Sequence, residues 1–152
     1  MLLYFAAPLF CSAELDFNIN VTNKIEDIGF KVFLPQRDGD KVNKEPYISM
    51  KTEERAKEIF NMDKANIFES DIFLFVLDGR IPDEGAAVAL GIAHAHKEFV
   101  KKDRILVGLH TDKRAAFMNE KLNPMIYSSL EYIADSVEDL INYLKKCIDQ
   151  EE

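Results

Sequence analysis

Carboxylates are the side chains of this sequence that are best suited to catalysis. Asp78 and Asp83 follow a long apolar segment, and Asp63 lies in the segment that leads into it. Cleavage of a glycosidic bond passes through an oxocarbenium-like transition state, which requires a carboxylate near the anomeric carbon and a second group for the proton of the leaving group. Several aspartates are also expected by chance in an acidic protein, so their spacing alone does not establish catalysis.

Other chemistries are disfavoured by the loops and histidines. The loop of residues 6–14 contains no glycine, which argues against a dinucleotide or nucleoside triphosphate site. His94 and His96 lie two positions apart on a predicted helix and point to different faces, which is poor geometry for a shared metal. We therefore expect no metal and no organic cofactor. His110, at the end of a predicted strand, is a further candidate for substrate contact.

Composition limits the partners and the compartment. The chain has 152 residues, of which 47% are hydrophobic, and this fits one domain spanning residues 1–152. Its net charge of -8 argues against binding to a nucleic-acid polymer. Cys11 and Cys147 match neither a disulfide framework nor a zinc site, so we expect reduced thiols and a cytoplasmic protein. No apolar run reaches the length of a membrane span, and residues 1–10 lack the basic start of a signal peptide.

The elements that would position these side chains alternate along the chain. Apolar runs predict strands at residues 2–7, 31–34, 71–77, 105–109 and 132–134. Amphipathic patterns predict helices that start after the caps Ser12, Thr52 and Ser136, and another at residues 85–100. Residues 36–51 are predicted to form a long loop.

Strands that alternate with helices predict an α/β fold. We expect a doubly wound, flavodoxin-like or Rossmann-like sheet of five parallel strands with helices on both faces. Ligands of such sheets bind beyond the carboxyl ends of the strands. That rule brings the loops 7–12, 35–39, 78–84 and 110–114 to one edge of the sheet.

An ordered set of segments in this chain resembles the nucleoside 2-deoxyribosyltransferase family. The segments are YFAAPLF at residues 4–10, PQRDG at 35–39, the helix that carries Asp63, DGRIPDEGAAVALG at 78–91 and NPM at 123–125. They cover nearly the whole chain, and the resemblance extends more loosely to deoxynucleoside-monophosphate glycosidases. Family members break the N-glycosidic bond with a glutamate nucleophile, form a deoxyribosyl–enzyme ester and pass the sugar to a second base without a cofactor.

The resemblance implies a role for each matching residue. Tyr4 would orient the nucleophile, Gln36 would contact the base, and Asp63 and Asp83 would contact the substrate and help move the base proton. Further substrate contacts are implied at Leu9, Phe10, Asp78, Gly79 and Arg80, although Arg80 is equally compatible with a structural ion pair to Asp78 or Asp83.

The resemblance also implies an assembly. Asn123 and Met125 match residues that a neighbouring subunit lends to the sugar 5′-hydroxyl, so a homo-oligomer, from dimer to hexamer, is expected. The implied partners are deoxyribonucleosides and free nucleobases.

The sequence departs from the family at the nucleophile. The family pattern places glutamate four residues after the first glycine of the segment that here runs from Gly85 to Gly91, and this chain has Ala89 at that position. A methyl group cannot attack an anomeric carbon, so we expect an inactive copy. The intact flanking residues favour an engineered Glu→Ala form over natural loss of activity. Glu84 lies five residues earlier, roughly 7 Å along a helix, too far to substitute.

Three functions remain open from the sequence. The first is the deoxyribosyltransferase, here without its nucleophile. The second is a hydrolase of deoxynucleoside 5′-monophosphates, for which Ser128 and Ser129 are available near Asn123 but no basic cluster is. The third is a nucleoside-binding domain without catalysis.

Overall fold

The protein folds into a single parallel sheet with helices on both faces. The computed structural model describes residues 1–39, 44–112 and 122–149. The strands are β1 (Leu2–Ala6), β2 (Lys31–Phe33), β3 (Ile72–Val76), β4 (Ile105–Leu109) and β5 (Tyr132–Ala134). The helices are α1 (Ser12–Asp27), α2 (Pro35–Asp38), α3 (Thr52–Glu69), α4 (Glu84–Phe99), α5 (Pro124–Ser129) and α6 (Val137–Asp149), with a 3-10 turn at Tyr47–Ser49. The predicted fold class is confirmed.

The sheet order places the three most buried strands, β1, β3 and β4, at its centre. The order is β2-β1-β3-β4-β5, and every pair is parallel. All five residues of β3 are buried, because helices cover the sheet on both sides. The order reverses between β1 and β3, so the loops after these two strands leave a crevice in which such folds bind ligands.

Alternation along β1 divides its side chains between two cores. Leu3 and Phe5 pack with α1 and α6 on one face of the sheet. Tyr4 and Ala6 point to the opposite face, where Ile67 of α3 and the apolar side of α4 cover them. The face that carries Tyr4 is therefore the face of α3 and α4.

Most elements agree with the sequence prediction, and the differences lie at helix starts. The N-cap of α1 is Cys11 instead of Ser12, and that of α3 is Lys51 instead of Thr52. In both helices a glutamate of the first turn accepts a hydrogen bond from the cap backbone N–H. The predicted loop at 36–51 is partly wrong, because Pro35 starts the short helix α2.

Arg104 ties the two helices of the Tyr4 face together at the edge opposite the carboxyl ends. Its side chain is fully buried. Its guanidinium donates to the carbonyls of Phe68 and Ser70, at the end of α3, and of Ala93 in α4, at 2.8, 3.0 and 3.3 Å. A buried arginine is tolerated here because carbonyl oxygens satisfy its donors.

Among the residues that the structure describes, no helix has the length and apolar character needed to span a membrane.

We expect Arg104→Ala to lower the free energy of unfolding by about 3 kcal/mol or more, because it leaves buried carbonyls without a donor and opens a cavity. Urea unfolding followed by circular dichroism measures the change. Lys102→Ala, at an exposed position two residues earlier, is the matched control and should change the stability by less than about 0.5 kcal/mol. Equal losses in the two variants would contradict a structural role for Arg104.

Candidate active site

A pocket of about 550 Å³ lies between α3 and α4, beside the carboxyl end of β1. Four of its lining residues are the sequence-predicted catalytic positions. These are Tyr4, Asp63, Asp83 and Ala89. Leu9 and Phe10, for which the resemblance implies substrate contacts, border the same pocket.

The walls of the pocket follow from helical periodicity. Gly85, Ala89 and Ile92 of α4 recur at steps of four and three residues, so they share one face of the helix. Ala56, Ile59, Phe60, Asp63, Lys64 and Ile67 form the corresponding stripe of α3. The two stripes face each other across the pocket, and most of the surface between them is apolar.

Tyr4 is held at the floor of the pocket by aromatic packing. Its ring stacks between Phe33 of β2 and Phe73 of β3, with centroid separations of 5.5 and 5.6 Å. Burial raises the pKa of Tyr4 far above its usual range, and the charge of Asp63 and a hydrogen bond to that carboxylate raise it further. The hydroxyl is therefore protonated at neutral pH and serves as a hydrogen-bond donor inside the pocket.

Asp83 caps α4 and also borders the pocket. It is the N-cap of α4, and its Oδ2 accepts a hydrogen bond of 2.8 Å from the backbone N–H of Ala86. The same carboxylate borders the pocket. A Cβ atom at Gly85 would lie 3.2 Å from this oxygen, so glycine leaves room for the carboxylate. The N-cap hydrogen bond therefore fixes the position of the Asp83 carboxylate.

Ala89 is half-buried in the wall that α4 contributes. It lies six residues beyond Asp83, between the buried Ala86 and Leu90 of the same helix. Glu84, the alternative carboxylate considered from the sequence, is exposed at the start of α4 and is not among the described residues that line the pocket. Asp63 and Asp83 are the carboxylates of that lining.

Gln36 does not line the pocket but braces one of its loops. Its Nε2 donates to the carbonyl of Leu15 at 2.9 Å, and its Oε1 accepts from Asn18 at 2.8 Å. Asn18 is 1% exposed, and it also donates to the carbonyl of Pro8 at 2.9 Å. This amide pair joins α1, α2 and the loop that carries Leu9.

Asp78 and its neighbours lie outside the pocket. Asp78 accepts hydrogen bonds from the backbone N–H groups of Thr111 and Asp112 at 2.6 and 2.8 Å, which connects the ends of β3 and β4. Gly79, with a φ of 125°, donates to Asp112. Arg80 is exposed, and the salt bridges found among the described residues do not include it.

Asn123 and Met125 lie at the other end of the sheet edge. Asn123 is the N-cap of α5, where its Oδ1 accepts from the backbone N–H of Met125 at 2.9 Å. The Met125 side chain is 78% exposed. Asn123 and His110 share a separate depression beside β5 and do not border the pocket of Tyr4.

Two residues of this region were missed from the sequence. Lys64 contributes a cation to the α3 wall, with its Nζ 5.2 Å from the centroid of the Phe60 ring. Asn18 is the second missed residue, and the sequence did carry a signal for it, because an asparagine there interrupts the apolar stripe of α1 that includes Thr22 and Ile25.

No group of three or more metal-binding side chains occurs in the part of the chain that the structure describes.

The comparisons with known proteins agree in fold. The nucleoside 2-deoxyribosyltransferase family matches residues 3–142. A conserved protein from Enterococcus faecalis V583 shares 27% identity and a TM-score of 0.76, over 95% of this chain and 97% of its own. No curated protein matches the sequence.

Two further solved structures are more distant in sequence. A 2-deoxyribosyltransferase from Bacillus psychrosaccharolyticus shares 22% identity and a TM-score of 0.74, over 94% of this chain and 92% of its own. A CMP N-glycosidase from Clostridium botulinum shares 15% identity and a TM-score of 0.55, over 95% and 97%. At these identities the two likenesses support the fold alone.

We expect Asn18→Ala to cost about 1–3 kcal/mol of stability, because it leaves a carbonyl and an amide oxygen without their buried donor. It should also speed hydrogen exchange at the amides of Leu9 and Phe10. Asn20→Ala is the matched control, since Asn20 is exposed on the same helix and donates to the carbonyl of Asp16 within that helix. Unchanged exchange at Leu9 and Phe10 in Asn18→Ala would show that the amide pair does not hold the loop.

Proposed function

The chain belongs to the nucleoside 2-deoxyribosyltransferase family, and we propose that its α3–α4 pocket binds a 2-deoxyribonucleoside in position for transfer of the sugar between bases. One observation carries the proposal. Tyr4, Asp63, Asp83 and position 89, which the sequence places on four different elements or turns, border the same pocket. Their convergence is not required by the fold, whereas a site for this chemistry requires it.

The chemistry assigns a separate task to each wall. A carboxylate at position 89 attacks C1′ of the sugar from α4, forming a C1′–O bond as the bond to the base breaks. The leaving base takes a proton that one of the two aspartates supplies, and the incoming base returns it. The neutral, buried hydroxyl of Tyr4, which bonds to Asp63 in the present chain, donates to the attacking carboxylate instead and orients it.

Ala89 removes the first of these tasks from the present chain. The pocket keeps its aspartates, its tyrosine and its apolar lining, so binding of a nucleoside is retained. Glu84 points to solvent and does not replace the missing group. The chain as it stands therefore binds a deoxynucleoside without transferring its sugar.

We expect Ala89→Glu to produce base exchange between deoxyinosine and adenine, measured by chromatography. The rate should exceed that of the unchanged chain by roughly 10⁴-fold or more, on the order of the effect of a covalent nucleophile in other enzymes. Ala89→Gln is the matched control, because the amide has the same size but does not form the ester.

Other outcomes of this assay separate the alternatives. Release of base only from a 5′-monophosphate would favour a nucleotide hydrolase over the transferase. Calorimetric binding of deoxyinosine without any turnover by Ala89→Glu would favour a nucleoside-binding domain. Neither binding nor turnover would overturn the proposal as a whole.

We further propose that a second copy of the chain completes the site through Asn123 and Met125. Both residues are exposed, and neither borders the pocket of its own chain. Phe10, Phe60 and Val88 at the pocket are also exposed, at 77%, 48% and 61%, which is unusual for apolar side chains and suits contact with another subunit. Sedimentation should find a dimer or a larger assembly, and a monomer at micromolar concentration would contradict it.

A further inference from the structure

We propose that a small monocarboxylate, formate above all, enters the pocket beside Ala89 and acts there as a diffusible nucleophile. The inference rests on the proposed function, and it adds a reaction that the unchanged chain can perform. What carries it is the combination of an alanine in the pocket wall with aspartates and a tyrosine that remain in place around it.

The space beside Ala89 suits the smallest carboxylate. In a glutamate the carboxyl carbon would lie roughly 2.5 Å from Cβ, as two single bonds dictate. A free molecule must keep its carbon about 3.5 Å or more from the Ala89 methyl, because the two atoms are not bonded. Formate therefore needs a displacement of roughly 1 Å from the position of the missing carboxylate. Acetate places a methyl group in that gap, and propionate requires more room still.

The side chains around Ala89 include groups that attract an anion and groups that repel it. Lys64 brings a positive charge to the facing wall, and the protonated hydroxyl of Tyr4, which otherwise bonds to Asp63, can turn to the anion. Whichever of Asp63 and Asp83 is ionised repels the anion, while the other carries the proton that the leaving base takes. Weak binding is expected, so the reaction requires formate in large excess over the nucleoside.

The reaction balances without any further reagent. Formate oxygen forms a bond to C1′ on the face that α4 presents, the bond from C1′ to the base breaks, and the base leaves with a proton from an aspartate. The incoming base then attacks C1′, returns its proton to the aspartate and releases formate. The two inversions at C1′ retain the configuration of the nucleoside, and formate is regenerated.

Azide gives the same first step and a product that persists. Its terminal nitrogen forms a bond to C1′ as the base leaves with its proton. The resulting 2-deoxyribosyl azide has inverted configuration, because only one displacement has occurred. Its isolation would identify the face of attack directly.

The test uses the unchanged chain with deoxyinosine and adenine in sodium formate, acetate, propionate or chloride at equal ionic strength. We expect exchange in formate at least about tenfold faster than in chloride, a smaller effect of acetate and none of propionate. Ala89→Glu should remain faster than the formate reaction by several orders of magnitude, because a tethered group has an effective molarity of about 10⁵ M or more.

Two variants make the outcome decisive. Ala89→Leu fills the space beside the wall, so it should abolish the formate effect, and calorimetry with deoxyinosine reports separately on nucleoside binding. Exchange by Ala89→Glu without any formate or azide reaction of the unchanged chain would overturn this inference and leave the proposed function standing. Absence of base exchange by Ala89→Glu would instead overturn the proposed function. Formate dependence that survives in Ala89→Leu would also overturn the inference, since the anion would then act elsewhere.

Discussion

The site depends on the way β1 is held between β2 and β3. The Oδ2 of Asp71 accepts a hydrogen bond of 2.7 Å from the backbone N–H of Leu2, and the backbone N–H of Asp71 donates to the Leu2 carbonyl at 2.8 Å. These bonds fix the register at which Tyr4 pairs with Phe73. A slip of one residue would turn Tyr4 to the α1 face and leave the pocket without its hydroxyl. The register is therefore a condition of the proposed chemistry as well as of packing.

Helix ends supply the rest of the arrangement. Asp83 is fixed because its carboxylate caps α4. Arg104 joins the C-terminal half of the same helix to the end of α3. The pocket thus lies between two helices, α3 and α4, that Arg104 holds together. The loop with Leu9 and Phe10 borders the pocket on the β1 side. A binding site on such supports keeps its shape before a ligand arrives.

The sequence allowed the fold to be predicted because each strand is a short apolar run and the runs alternate with helical patterns. It also indicated which residues share the pocket, since Tyr4, Asp63 and Asp83 follow from the family resemblance and from the edge at which parallel strands end. It could not show the bonds of Gln36, because its partner Asn18 belongs to another element. It could not separate Asp78 from Asp83 either: both follow β3, and only the chain path in space gives the first to the β4 loop and the second to α4.

The geometry of α4 explains why the chain can carry alanine at position 89 without losing its fold. Ala86, Leu90 and Ala93 face the sheet and are almost fully buried, whereas Ala89 faces the pocket. Alanine suits this position of the helix, because it has the highest helix propensity. Its neutral side chain also adds no charge beside Asp63 and Asp83. The sugar transfer that we propose would require a carboxylate at position 89, whereas the residue found there suits the stability of the helix.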